Sequence, residues 1–367
     1  MPRLGAALST IALALITGSI MAAGATFSPR LTTPRLAPVP KEGRTEAQAA
    51  MLASRPDYNV YKTLAHDIDL YNAQSALGQF LLKGSSLPPP EREIVILRMG
   101  WLCRSGYEWA QHSRIAKGEP GLTDAQVHAI AEGSTAKGWS DFERALITMV
   151  DEVRYEAMIS DVTWKTLRTR YSEQQIIESM YTASHYQMVS MALNSLGVQL
   201  DPDLEDRLPK DVPLPKLAET PTMPRLSAPR FATALHPKLH SARRIFASYL
   251  QHESHLPPKT RELVVMRTAW LVRAEYEWEH HAPLAKAAGF TDAEVASIAH
   301  GPDGGWNDEY KAVLRAVDEL RGEAFISDAT WAALATHYDT KQLIEIIYTS
   351  GGYTMMAVAG NSLGHQK

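Results

Sequence analysis

Residues 87–109, LPPPEREIVILRMGWLCRSGYEW, recur as residues 256–278, LPPKTRELVVMRTAWLVRAEYEW, at a constant offset of 169 and with 13 of 23 positions identical. Self-similarity of this length marks a duplicated structural unit and decides how the rest of the chain is read. The match continues past small insertions: GLTDAQVHAI (121–130) pairs with GFTDAEVASI (289–298), ISDVTW (159–164) with ISDATW (326–331), and NSLG stands at 194–197 and at 361–364. Ahead of the copies, TPRLAP at 33–38 aligns with MPRLSAP at 223–229. Residues 201–229 carry seven prolines in a polar stretch, the composition of a semi-rigid linker. The expected organisation is an export segment at 1–25, a first repeat at 26–200, the linker at 201–229 and a second repeat at 230–367.

Within each copy the periodicity is helical. Apolar residues fall at three- and four-residue spacing in 140–155, 172–193, 308–322 and 340–358, and no stretch sustains strand alternation, so the fold class is all-α. Pro88 to Pro90 and Pro257 with Pro258 set the first turn of a helix that is apolar nearly all round (Ile94, Val95, Ile96, Leu97, Met99, Trp101, Leu102), the signature of a buried helix. A second helix starts after Ser105-Gly106 or Ala274-Glu275.

Lys and Arg total 37 against 41 for Asp and Glu, and no basic stripe stands out, so nucleic acid is not an expected partner. The first 25 residues read as a secretory signal: Arg3, an apolar run from Leu4 to Met21, then Ala23-Gly24-Ala25 as an A-x-A cleavage site. The expectation is a periplasmic or secreted protein starting at Thr26, with no stable membrane insertion after cleavage; retention of the segment as an anchor is the alternative. Cys103 is the single cysteine, so no intramolecular disulfide can form. Its counterpart Val272 reads as a buried packing position.

Four ionisable residues recur at fixed spacing: Glu93, Arg98, Glu108 and His112 in the first copy, Glu262, Arg267, Glu277 and His281 in the second. Glu108 and His112, like Glu277 and His281, are four apart on one helix and share a face, so carboxylate and imidazole could share a proton. Each element also has a plain structural reading. Glu93 could cap its helix, the Glu–His pair could be a surface ion pair, Arg98 could be paired to a carboxylate rather than clamp a substrate, and Trp101 and Trp109 could be core. His185 and His280 add possible metal ligands, but the spacing is not H-E-x-x-H and no third ligand recurs at a helical spacing, so no metal is assigned.

At these residues the chain resembles the carboxymuconolactone decarboxylase and alkylhydroperoxidase-D-like superfamily. The resemblance rests on the string RE…R…YEW..H followed by G.TD in both copies and spans most of the chain after the export segment. It implies two tandem AhpD-like helical units, a covalent pseudo-dimer, and a homo-oligomer in which three chains make a pseudo-hexamer. The superfamily's peroxidase branch carries a Glu followed at +12 and +15 by cysteines and at +19 by a His; here the steps from Glu93 reach Ser105, Glu108 and His112, and those from Glu262 reach Ala274, Glu277 and His281. A carboxylate cannot form a sulfenic acid or a disulfide, so thiol peroxidase chemistry is not expected.

What survives resembles the cofactor-free decarboxylase branch, which acts on carboxylated lactones of aromatic catabolism. The implied function is an exported lyase or isomerase of a small-molecule substrate, an oxygenated organic acid or lactone, working without cofactor by general acid–base catalysis. In that reading His112 and His281 deliver the proton, Glu108 and Glu277 orient them, and Glu93 and Glu262 exchange protons or stay structural. Arg98, Arg267, Trp109, Trp278, Tyr107 and Tyr276 bind the substrate. The alternatives are a non-catalytic helical binding module and a metal-dependent lactone hydrolase. The second copy, with the fuller string EYEWEHH, is expected to carry more of the activity.

Overall fold

The computed structural model describes residues 30–215, 217, 220–226, 228–230 and 236–364; the export segment lies outside the described residues. Those residues hold sixteen α-helices and no strand, an all-α tandem of two repeated helical units. Two helices, α1 (Glu46–Ala53) and α2 (Asn59–Leu64), precede the first copy. That copy is α3 (Ile68–Gln79), α4 (Pro89–Leu102), α5 (Gly106–Lys117), α6 (Asp124–Glu132), α7 (Asp141–Glu156), α8 (Asp161–Leu167) and α9 (Glu173–Leu196). The second repeats the order: α10 (Pro237–Ser248), α11 (Pro258–Leu271), α12 (Glu275–Ala287), α13 (Asp292–Ser297), α14 (Asp308–Glu323), α15 (Asp328–Leu334) and α16 (Thr340–Leu363). Both α3 and α10 end in a π-helical turn, Phe80–Gly84 and Tyr249–Glu253.

Several repeated strings turn out to be helix punctuation. In G.TD, Thr123 and Thr291 are N-caps whose hydroxyls accept from the backbone of Gln126 and Glu294, while those side chains reach back to the cap: a capping box, with Asp124 and Asp292 in the first turn. Ser160 and Ser327 of ISD..W cap α8 and α15 by the hydroxyl alone, which accepts from the Thr163 and Thr330 amides. No described helix is long and apolar enough to cross a membrane.

The two copies meet in an isologous junction, each contributing to the other what it receives. Helices α9 and α16 pack together closely enough that a Cβ on Gly351 would stand 2.4 Å from the Met188 side chain. Arg154 donates to the carbonyls of Arg321 and Gly322, and Arg321 donates to those of Arg154 and Tyr155. The NSLG strings are built for this junction. Asn194 bridges the carbonyls of Cys103 and Ala324, and Asn361 those of Val272 and Ala157. Ser195 accepts from the Ile326 amide and Ser362 from that of Ile159. Gly197 and Gly364 end their helices at φ 70° and 73°, a left-handed conformation that glycine adopts without strain.

One feature of the sequence alignment is corrected. Arg35 donates its amide to Leu196 O, its guanidinium reaches Ser195 O and Ile326 O, and it lies over the Trp331 ring. The residue that repeats these contacts is Arg230, on Leu363 O, Ser362 O, Ile159 O and the Trp164 ring, not Arg225 of MPRLSAP. Each leading segment carries two Pro-Arg steps, and the junction matches the later one.

Candidate active site

In the first copy α4 and α5 pack side by side and bring Glu93 against the ring of His112, nineteen residues away. His112 Nδ1 lies 2.7 Å from Glu93 Oε2, and Nε2 lies 3.0 Å from Glu108 Oε1. Glu93 is fully buried, Glu108 and His112 nearly so, and Arg92 flanks Glu93 at 3.3 Å. Burial opposes a charge on the His112 ring, but Glu93 and Glu108 outweigh it and hold its pKa up at about 10. The ring is therefore an imidazolium at neutral pH, with both nitrogens committed.

The second copy repeats half of this. His281 Nδ1 lies 2.8 Å from Glu262 Oε2, but Nε2 is 3.9 Å from the nearest Glu277 oxygen, beyond hydrogen-bond reach. Burial raises the pKa of the Glu277 carboxyl above the usual range, against the pull of His281, His280 and Arg243. A raised carboxyl beside an uncommitted ring nitrogen is an arrangement that can exchange a proton.

The copies also differ in cover. Over α5 lie α2 and residues 198–211: Tyr107 donates to Asp201 at 2.5 Å, Asp201 also accepts from the Asn59 amide and Gln111, and Arg114, Lys117 and His128 reach Asp203, Asp206 and Asp211. The linker thus runs along the first copy rather than standing clear of it. No such cover lies over α12 among the described residues. Trp270 is 46% exposed where its counterpart Trp101 is 0%, and Tyr276 is 45% exposed where Tyr107 is 5%.

The other expected site residues separate. Arg98 does not reach the Glu–His site: it forks onto Asp151 and donates to the carbonyls of Ile130 and Ala131, and Arg267 does the same with Asp318, Ile298 and Ala299. A Cβ on Gly133 or Gly301 would collide with these guanidinium groups, which are tied between helices and leave no fork for a substrate carboxylate. The expected substrate clamp is not the geometry seen here, where both groups are engaged within the helical frame. Trp109 is core, packed edge-on to Trp101, and Tyr107 is held by Asp201; Trp278 and Tyr276 are the members of the aromatic set that remain partly open. Where Glu108 and Glu277 were expected to orient the rings, the carboxylates in contact with Nδ1 in both copies are Glu93 and Glu262. Neither acts as a cap. Cys103 is fully buried, and burial raises its thiol pKa, as a packing residue requires. His185 is buried on α9, and burial lowers its pKa to about 4, so it stays neutral.

Sequence reasoning missed Tyr186 and Tyr353, whose rings stand edge-on to His112 and His281 at 4.9 and 5.0 Å. Their recurrence at the same register of α9 and α16 was the available signal. A cavity of about 570 Å³ opens elsewhere, at the start of α5, lined by Arg30, Arg104, Arg207, Lys210, Tyr107 and Leu208 among others; Glu93, Glu108 and His112 are not in its wall.

The Carboxymuconolactone decarboxylase family model matches the chain twice, at residues 69–151 and 237–319. Each match contains one Glu–His site. No curated protein matches the chain. Among solved structures, a protein of unknown function from Agrobacterium tumefaciens, described as a putative antioxidant defence protein AhpD, is similar at 15% identity. The alignment covers 36% of this chain and 91% of that one, with a TM-score of 0.33.

Proposed function

For this chain of two carboxymuconolactone decarboxylase family units, we propose an exported lyase or isomerase that acts on a small oxygenated organic acid or lactone, with its proton chemistry in the second copy. The observation that carries this reading is the released Nε2 of His281, held at Nδ1 by Glu262 and standing 3.9 Å from Glu277.

Loss of CO2, or a double-bond shift, beside a lactone carbonyl places negative charge on an enolate oxygen. A protonated His281 stabilises that charge and then delivers its Nε2 proton to carbon, regaining it from Glu277 or water. Glu262 fixes the ring's tautomer and direction. The site is compatible with chemistry that needs no cofactor. With Arg267 committed elsewhere, Arg243 is the arginine whose charge acts on Glu277 alongside His281 and His280, and its Nε is buried without a partner; in the first copy this position is Gln74. It is the group suited to the substrate carboxylate.

The first copy supports a second reading for itself: a stabilising ion network that has kept the residues and lost the freedom. A panel of carboxylated lactones and enol acids tests both. His281→Ala should lower kcat by about 10²- to 10⁴-fold with little change in KM, and Arg243→Gln should raise KM. Full turnover in a folded His281→Ala protein would refute the assignment.

A further inference from the structure

Outside both Glu–His sites, three potential metal ligands converge where the copies meet. Asp67, the N-cap of α3 in the first copy, stands with His255 and Glu345 of the second, and one ligand atom from each lies within 4.8 Å of the others. Asp67 and Glu345 are buried, and His255 is exposed. Two buried carboxylates this close are costly unless positive charge joins them. Glu345 has its share of partners, accepting from Tyr249, Ser254, the Leu256 amide and His255. Asp67 does not: Oδ1 accepts from the Leu70 amide, while Oδ2 is buried with no hydrogen-bond partner.

We propose that Asp67, His255 and Glu345 bind one divalent transition-metal ion of the zinc class, stapling the first copy to the second. One imidazole and two carboxylates form a nitrogen and oxygen set suited to Zn²⁺, and two carboxylates neutralise its charge. Donors at about 2.0–2.2 Å from the ion close to within about 3.5 Å of one another. Metal binding requires His255 Nδ1, now 2.9 Å from Glu345 Oε1, to turn from that carboxylate to the ion, and its exposed side chain leaves an entry path and a position for water. The site lies eight residues along α16 from Tyr353, about 12 Å, so it is a junction site separate from His281. The pseudo-symmetric positions are His236, Ser86 and Glu178, and there Ser86 has taken the place of His255 and donates to Glu178. One ion per chain is therefore expected, not two.

The test is calorimetric titration of the chelator-treated full chain with Zn²⁺, paired with Co²⁺ absorption and Tm. The wild type should take up one equivalent, give a visible cobalt spectrum of nitrogen and oxygen ligation, and rise in Tm with zinc concentration. Asp67→Asn keeps the N-cap and removes the ligand charge; His255→Ser reproduces the other half at an exposed position. Changes in groups that merely orient ligands already cost about 10- to 100-fold in affinity, so each variant should lose at least that and its zinc-dependent Tm rise. Absence of binding, as when a shared proton alone reconciles Asp67 with Glu345, would overturn the proposal. So would zinc that survives both variants and disappears in His281→Ala.

Discussion

The two Glu–His sites share every residue of the motif and differ in what surrounds it. In the first, His112 is clamped at both nitrogens and roofed by α2 and residues 198–211. In the second, His281 keeps the Glu262 contact and stands apart from Glu277, on a helix where Tyr276 is exposed, with Trp270 of the neighbouring α11 exposed beside it. The contrast teaches that a motif sets which groups meet, while cover and a shift of about an ångström decide whether a proton can move. The ring of His112 is held by two carboxylates, whereas that of His281 has one nitrogen free of such a contact, which is the feature the proposed chemistry uses.

The largest effect that would sharpen this contrast is the kinetic one already given for His281→Ala, against which His112→Ala should leave turnover nearly intact. Next comes stability. Removing the cation between Glu93 and Glu108 takes away the charge partner these two buried carboxylates share and leaves Glu93 only its Arg92 contact, so His112→Leu should cost on the order of 3–5 kcal/mol in urea unfolding. His281→Leu should cost less, because Glu277 is partly solvated. Equal losses would break the comparison. The wild-type protein carries the same signature in pH. An unfolded histidine releases its proton near 6.5, whereas His112 holds its own to about 10. The stabilisation is complete below about 6.5 and drains away as pH rises towards 10, where His112→Leu should show a flatter profile. The smallest effect belongs to Cys103→Val, the residue found at Val272. It should shift stability by less than about 1.5 kcal/mol and leave activity unchanged, and thiol-dependent hydroperoxide turnover should be absent before and after.

Much of this was legible in the sequence because it is local. Proline starts, capping boxes and three- and four-residue apolar spacing give the helices, and the repeated strings give the duplication. Glu93, Glu108 and His112 were legible as a set from their recurrence. Which carboxylate faces which nitrogen was not, since Glu93 approaches from another helix and the i,i+4 pair was the only geometry the spacing exposed. Arg98 misled for the same reason: its partner Asp151 lies 53 residues on, and nothing near Arg98 announces it. The difference between the copies escaped because it resides outside the repeated strings, in Asn59 ahead of them and in Asp201 and its neighbours, whose composition reads as linker. The junction register slipped by one Pro-Arg step because two such steps precede each copy and only tertiary contact distinguishes them.

The most direct test of the account is the protonation state of the two rings, read in one sample by nitrogen NMR of histidine-labelled protein from pH 6 to pH 10. The account predicts that His112 keeps the imidazolium signature through pH 9 and loses it near 10, and that addition of a carboxylated lactone perturbs His281 alone. A His112 that titrates near 6.5, the ordinary histidine value, or that responds to the ligand as His281 does, would contradict the claim that one copy is locked and the other released.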